Sequence, residues 1–209
     1  MEQPPPEWII EIFADQNSVR DIVRGILHTI FFHRFFPNIL PQTRDVIGMD
    51  LPYVSEAEIE TLIDQRVAAL ARQLEMERNQ PHHPNHHSAG ASGSGRGQVT
   101  VQFFEKQRRK AWFNMRGEDE VCWENWTVKV TVAEPRTEAE RAKVRSATEK
   151  TLRNSVFKIM TLVNSHKDHI PPITTSGANN PFPFQISVNP NQKAPEAEPA
   201  GWATRMGIY

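Results

Sequence analysis

Two alternating stretches separated by a long polar insert constrain this chain more than any other feature. Val99, Val101 and Phe103 fall on one face of residues 99–106, with Thr100, Gln102 and Lys106 on the other. Trp126, Val128, Val130 and Val132 alternate in the same way with Thr127, Lys129 and Thr131. A period of two is the strand period, and two such strands close in sequence predict an antiparallel pair. Their connection is far longer than the roughly two to five residues that close a hairpin, and long connections in compact domains are functional or unstructured. Over residues 107–122 it sets Trp112 beside Phe113, with Arg108, Arg109 and Lys110 before them and Glu118, Asp119 and Glu120 after. One reading makes this loop a protruding finger that presents two rings to another protein, where a desolvated Trp is a frequent hot spot. The other folds both rings back into the core, as large aromatics usually are. The residues alone leave the two open.

The rest of the chain reads as an α+β domain. Trp8, Ile10 and Ile12 alternate with Ile9, Glu11 and Phe13 as a first strand. Ser18 and Asp21 have capping-box spacing ahead of an apolar stripe through Val19, Ile22, Val23, Ile26, Leu27, Ile30 and Phe31, widened by Phe32, Phe35 and Phe36 before Pro37. Ile47, Met49, Leu51 and Tyr53 form a short strand. Ser55 and Glu58 cap a second helix along Ile59, Leu62, Ile63, Val67, Leu70 and Leu74. Residues 80–97, rich in His, Gly and Ser, form a low-complexity loop with nothing to bury. After the hairpin, Thr137 and Glu140 cap a third helix with its stripe on Val144, Thr148, Leu152, Val156, Ile159 and Val163, long enough to cross a sheet. Phe182, Phe184, Ile186 and Val188 alternate as a strand that Pro183 confines to an edge or a bulge. Residues 189–209 are a mobile tail, unless Trp202–Tyr209 adds a last strand.

At 209 residues the chain holds one sizeable domain, expected to span 1–209. A net charge of −1 supplies no general attraction to nucleic acid, and the acidic run after Trp112 and Phe113 opposes a base-stacking site there. The run from Ile26 to Phe36 is broken by His28, His33 and Arg34, so no membrane span is expected. The start, MEQPPPEW, has neither the basic nor the apolar region of a signal peptide, and Cys122 is the single cysteine, which fits a reducing, cytoplasmic setting. His82, His83, His86 and His87 have ligand-like spacing, but their Pro, Ser and Gly surroundings give no rigid geometry, so no metal is expected. His28 and His33 lie five apart, not on one helix face. No phosphate loop, nucleophile elbow or HExxH is present. No catalytic residue and no cofactor are expected, and the enzyme hypothesis has little support.

The element order, with Leu27-His28-Thr29 and His33-Arg34 in the first helix, Tyr53-Val54-Ser55, Trp123-Glu124, Trp126-Thr127-Val128-Lys129-Val130 and Phe184-Gln185-Ile186, resembles the HORMA-domain family, specifically its autophagy branch. The resemblance implies an antiparallel sheet packed against three helices, with a long-looped hairpin and C-terminal strands. It implies a non-enzymatic subunit of the autophagy-initiation kinase complex at the phagophore assembly site. Such a subunit forms a heterodimer with the HORMA domain of autophagy-related protein 13 and stabilises it. It also implies a "WF finger" that recruits downstream factors, a position that Trp112 and Phe113 occupy here as partner-binding residues. Animal members carry a proline between the two rings; this chain does not. The alternative within the family is a checkpoint-type switch that captures a peptide under its C-terminal segment.

Overall fold

The computed structural model describes residues 4–37, 40–79, 95–108, 118–173 and 181–189. In chain order these form β1 (Glu7–Asp15), α1 (Val19–Arg34), β2 (Gln42–Val46), β3 (Met49–Tyr53), α2 (Ala57–Asn79), β4 (Gly95–Arg108), β5 (Glu118–Ala133), α3 (Glu138–Ser165) and β6 (Phe184–Val188). Four strands make one sheet in the order β1-β5-β4-β6, and β2 pairs with β3 apart from it. The fold is α+β, as expected.

The sheet is mixed, which corrects the expected antiparallel sheet. β4 pairs antiparallel with β5 and β6, but β1 pairs parallel with β5, from Glu7 opposite Asn125 to Asp15 opposite Ala133. Alternation reports which face a side chain takes and carries no information on strand direction. The chain between β1 and β5 includes two helices, ample for the crossover that a parallel pair needs.

The period-two apolar residues all turn to one side. Ile10, Ile12, Val99, Val101, Phe103, Trp126, Val128, Val130 and Ile186 are each no more than 3% exposed. α1 contacts both α2 and α3 over this face; α2 reaches β4 and β6, and α3 lies along β1. The stripe of α1 is fully sequestered, and the β2–β3 hairpin presses on its far side. A Cβ added to Gly25 would stand 2.9 Å from Leu51 Cδ1 and 3.0 Å from Val46 Cγ2, so glycine lets the hairpin come this close without displacing those side chains. Each large aliphatic side chain so buried contributes about 1.5–3 kcal/mol.

Helix ends follow the expected local chemistry at α3 but not at α1 or α2; α2 opens at Ala57, with Glu60 N–H donating to Glu56 O, so Ser55 is not its N-cap. At α3, Thr137 Oγ1 accepts from Glu140 N–H (3.2 Å) and the Glu140 carboxylate accepts from Thr137 N–H (3.2 Å), the capping box read from the sequence. Bonds to backbone N–H groups hold the Glu140 carboxyl below its usual pKa. At α1, Ser18 is already helical and makes no side-chain cap. Asp15 does that work, its carboxylate accepting from Asn17 N–H (2.8 Å) and Ser18 N–H (2.9 Å).

Several boundaries move. β2, with the sequence QTRDV, has four exposed residues of five and therefore no apolar alternation to announce it. Ile47 belongs to the tight turn between Val46 and Met49, not to a strand. Ile47 (φ 48°) and Gly48 (φ 81°) both sit in left-handed space, as a two-residue type I′ hairpin turn demands. A β-branched residue there is strained by roughly 1–2 kcal/mol. Ile47→Asn is expected to raise stability by about 1 kcal/mol, read as a higher urea midpoint with unchanged slope.

Of the loop expected over 80–97, residues 95–97 belong to β4, because their backbone pairs with Val130–Val132. Asn189 is not tail. It is 7% exposed, takes a left-handed φ of 44°, accepts from Gln98 N–H (2.6 Å) and donates to Gln73 Oε1 (2.7 Å), which ties the end of β6 to β4 and α2. The segment Trp202–Tyr209 lies outside the described residues, as does the His82–His87 cluster.

Finally, α3 closes one margin of the sheet. Lys158 Nζ donates to Ile9 O (2.8 Å) and Ser155 Oγ donates to Glu11 O (2.9 Å), both carbonyls of the outermost strand β1.

Candidate interaction surfaces

The β4–β5 hairpin is longer than its apolar pattern suggested. The ladder continues past the core to Arg108 opposite Glu118, so the finger expected over 107–122 narrows to a connection at 109–117. Trp112 and Phe113 fall in that connection, outside the described residues. What is described is the arm that carries them. It runs four rows beyond Phe104–Cys122, roughly 14 Å at strand rise. Lys106, Gln107, Glu120 and Val121 on it are exposed, with Lys106 opposite Glu120 in the register.

The root of this arm is built around a bulge. Phe103 pairs with Glu124 and Phe104 with Cys122, which leaves Trp123 as the extra residue on β5. Two consecutive side chains are thereby buried together, Trp123 at 6% exposure and Glu124 at 0%. Trp123 packs between Phe103, Phe182 and His169, with ring centroids 5.1–5.8 Å apart.

Glu124 is the hub of a buried polar cluster. Arg34 Nε donates to both of its oxygens (2.9 and 2.8 Å), Trp126 Nε1 donates to Oε1, and His169 Nε2 lies 2.6 Å from Oε2. The end of α1, the root of the arm and the segment after α3 therefore converge on one carboxylate. Alternation could not have found this cluster, but the motifs His33-Arg34 and Trp123-Glu124 both fall within it.

A second surface lies on α3. Its buried stripe is Thr148, Leu152, Ser155, Val156, Ile159 and Val163. Phe157 and Met160 point the other way and are 61% and 43% exposed. Ile9, on the adjoining strand β1, is 38% exposed. Sequence reasoning followed the stripe of this helix and did not single out these out-of-phase residues.

Of the reactive groups, His28 is wholly buried in a helix–hairpin contact, and Cys122 is a half-buried packing residue whose thiol burial pushes up in pKa. Burial first, and the neighbouring Arg34 second, lower the pKa of His33. Among the described residues no group of three or more His, Cys, Asp or Glu side chains could hold a metal ion, and no helix is long and apolar enough to cross a membrane.

The class defined is an α+β protein with one mixed sheet, a helical layer, an extended hairpin arm and an apolar patch on its third helix. The family model described as Autophagy-related protein 101 matches residues 11–177. Among relatives, the Autophagy-related protein 101 of Arabidopsis thaliana is 28% identical over 199 residues, covering 85% of this chain and 84% of the relative. That of Schizosaccharomyces pombe is 25% identical over 174 residues (83% and 82%), and that of Homo sapiens 25% over 190 residues (83% and 79%). The chain belongs to the autophagy-related protein 101 family, and its role lies in autophagy.

Proposed function

We propose that this protein is a non-enzymatic adaptor of autophagy initiation, built as a HORMA-type domain, that works through two protein-binding surfaces. The first is the outward face of α3 with the neighbouring β1 edge, which pairs with and stabilises the HORMA domain of autophagy-related protein 13. The second is the finger, where Trp112 and Phe113 insert into a pocket on a downstream factor. Joined to the initiation kinase complex, the heterodimer acts in the cytoplasm at the phagophore assembly site.

The observation that carries this reading is the exposure of Phe157 and Met160 on a helix whose opposite side is locked into the core. Large apolar side chains on a rigid element are what a stable pairing covers. The long paired arm supports the second surface, since its last described row, Arg108 opposite Glu118, lies four rows beyond Phe104–Cys122.

The double variant Trp112→Ala/Phe113→Ala tests it. Its urea midpoint and its co-elution with the HORMA domain of autophagy-related protein 13 are expected to match wild type, while recruitment of downstream factors to starvation-induced puncta is lost. A double variant that unfolds, or that loses the HORMA partner, assigns both rings to the core and ends the finger reading.

A further inference from the structure

The solvent face of α3 carries a charge pattern that narrows what can dock on it. At about 100° per residue, Lys143, Lys150, Arg153, Phe157, Met160 and Asn164 share one face, within roughly 60° of Phe157. The cations on this face have no carboxylate among them. The nearest acidic residue of the helix, Glu149, lies about 80° from Phe157, at the margin. Lys150 and Arg153 are exposed and have no ion-pair partner among the described residues. Beyond Lys158, which is held by Ile9 O, the sheet edge carries Glu7 and Glu11, both exposed.

We infer that the α3 face selects an acidic protein partner, one that sets carboxylates against Lys150 and Arg153 around an apolar contact with Phe157 and Met160. This inference rests on the reading of α3 as the pairing surface and adds the chemistry of the partner. A second copy of this chain does not fit. Docked helix to helix about Phe157 in either direction, it sets Lys150 and Arg153 against their own copies or against neutral Asn164 and Thr161. Cations buried without partners oppose such an interface. An anionic lipid surface also fits poorly. It would repel Glu7 and Glu11 beside the helix, and α3 is fastened along the sheet, so it cannot sink its apolar face roughly 5–10 Å as interfacial helices do. Opposed charges around an apolar centre act mainly on the encounter rate, which makes salt dependence the natural readout.

The test measures association of the full chain with the HORMA domain of autophagy-related protein 13 at about 50 and about 500 mM NaCl, where screening lengths differ roughly threefold. The wild-type association rate is expected to fall about tenfold or more with salt. Lys150→Glu/Arg153→Glu should bind about tenfold more slowly at low salt and lose the salt dependence, with an unchanged urea midpoint. Lys150→Arg/Arg153→Lys should retain both rate and salt dependence.

A wild-type chain that does not bind this domain at either salt overturns the pairing reading itself. Binding that is insensitive to salt and to charge reversal overturns only the inference. Two further arms address the other occupants. Self-association of the isolated chain that charge reversal abolishes would put a second copy on this face. Sedimentation with phosphatidylserine vesicles that charge reversal abolishes would make the face a lipid surface. Either result overturns the inference.

Discussion

Glu124→Gln is expected to cost about 3–5 kcal/mol of stability. The substitution keeps the shape and removes the charge. Arg34 is 2% exposed and loses the carboxylate that accepts from its Nε, so its cation stays buried without a counterion. The side chain of Trp126 and the ring of His169 lose an anionic acceptor at the same time.

Desolvating two charges has already offset much of the attraction between them, so the pair itself adds little net stability. The asymmetry can be measured. Arg34→Met/Glu124→Leu should recover most of the loss, whereas either single change should not. Urea unfolding followed by Trp fluorescence gives the comparison, with midpoints about 1–2 M lower for the single variants. Equal losses for single and double variants would show that packing, not an orphaned charge, sets the cost. Because Glu124 sits at the root of the arm, limited proteolysis near Arg108–Glu118 should also accelerate in Glu124→Gln.

Stability should also fall by about 2 kcal/mol between pH 7.5 and pH 5 through His28 alone. His28 is fully buried beneath the β2–β3 hairpin, with its ring 4.0 Å from that of Tyr53. Val54 N–H donates to its Nδ1 (3.4 Å), a bond that only the unprotonated nitrogen accepts. Its pKa is lowered from 6.5 to about 4, first by burial and then by Arg44, against opposing pulls from Glu60 and Asp64. A folded-state pKa below the unfolded value means that the unfolded chain binds the extra proton between pH 6.5 and 4. Stability is therefore complete above pH 6.5 and is lost as pH falls toward 4. His33, also lowered, acts in the same direction.

His28→Phe removes the titration. Its unfolding free energy should start lower, for want of the acceptor for Val54, and should vary less with pH over this range. A wild-type profile that is flat from pH 7.5 to 5 would refute the assignment.

How much of this was legible depended on whether a feature repeats along the chain. The stripes of α1, α2 and α3 and the alternation of β1, β4, β5 and β6 are periodic, and burial followed them. β2 was lost because its residues are almost all exposed, and Ile47 misled because β propensity says nothing of a turn that needs positive φ. Ser18 misled because Asp15, three residues earlier, supplied the cap first. The direction of β1 is a long-range property with no local signal.

The two surfaces differ in the same way. Phe157 and Met160 can be found by asking which apolar residues fall out of phase with their own helix. The Arg34–Glu124 contact spans 90 positions and leaves only a hint, a glutamate set between two tryptophans in an apolar strand. Trp112 and Phe113 were legible as a motif, and the arm that holds them was not, since its rows past Phe104 are polar except for Val121 and so show no apolar alternation.

The bonds from Lys158 and Ser155 to Ile9 O and Glu11 O bear on how this protein behaves when crowded. An open strand margin is a template onto which further chains can add, and runaway addition ends in fibrils. With β1 spoken for by its own helix, the short β6 is the remaining open margin of the four-stranded sheet among the described residues, so crowded copies have little edge along which to zip together.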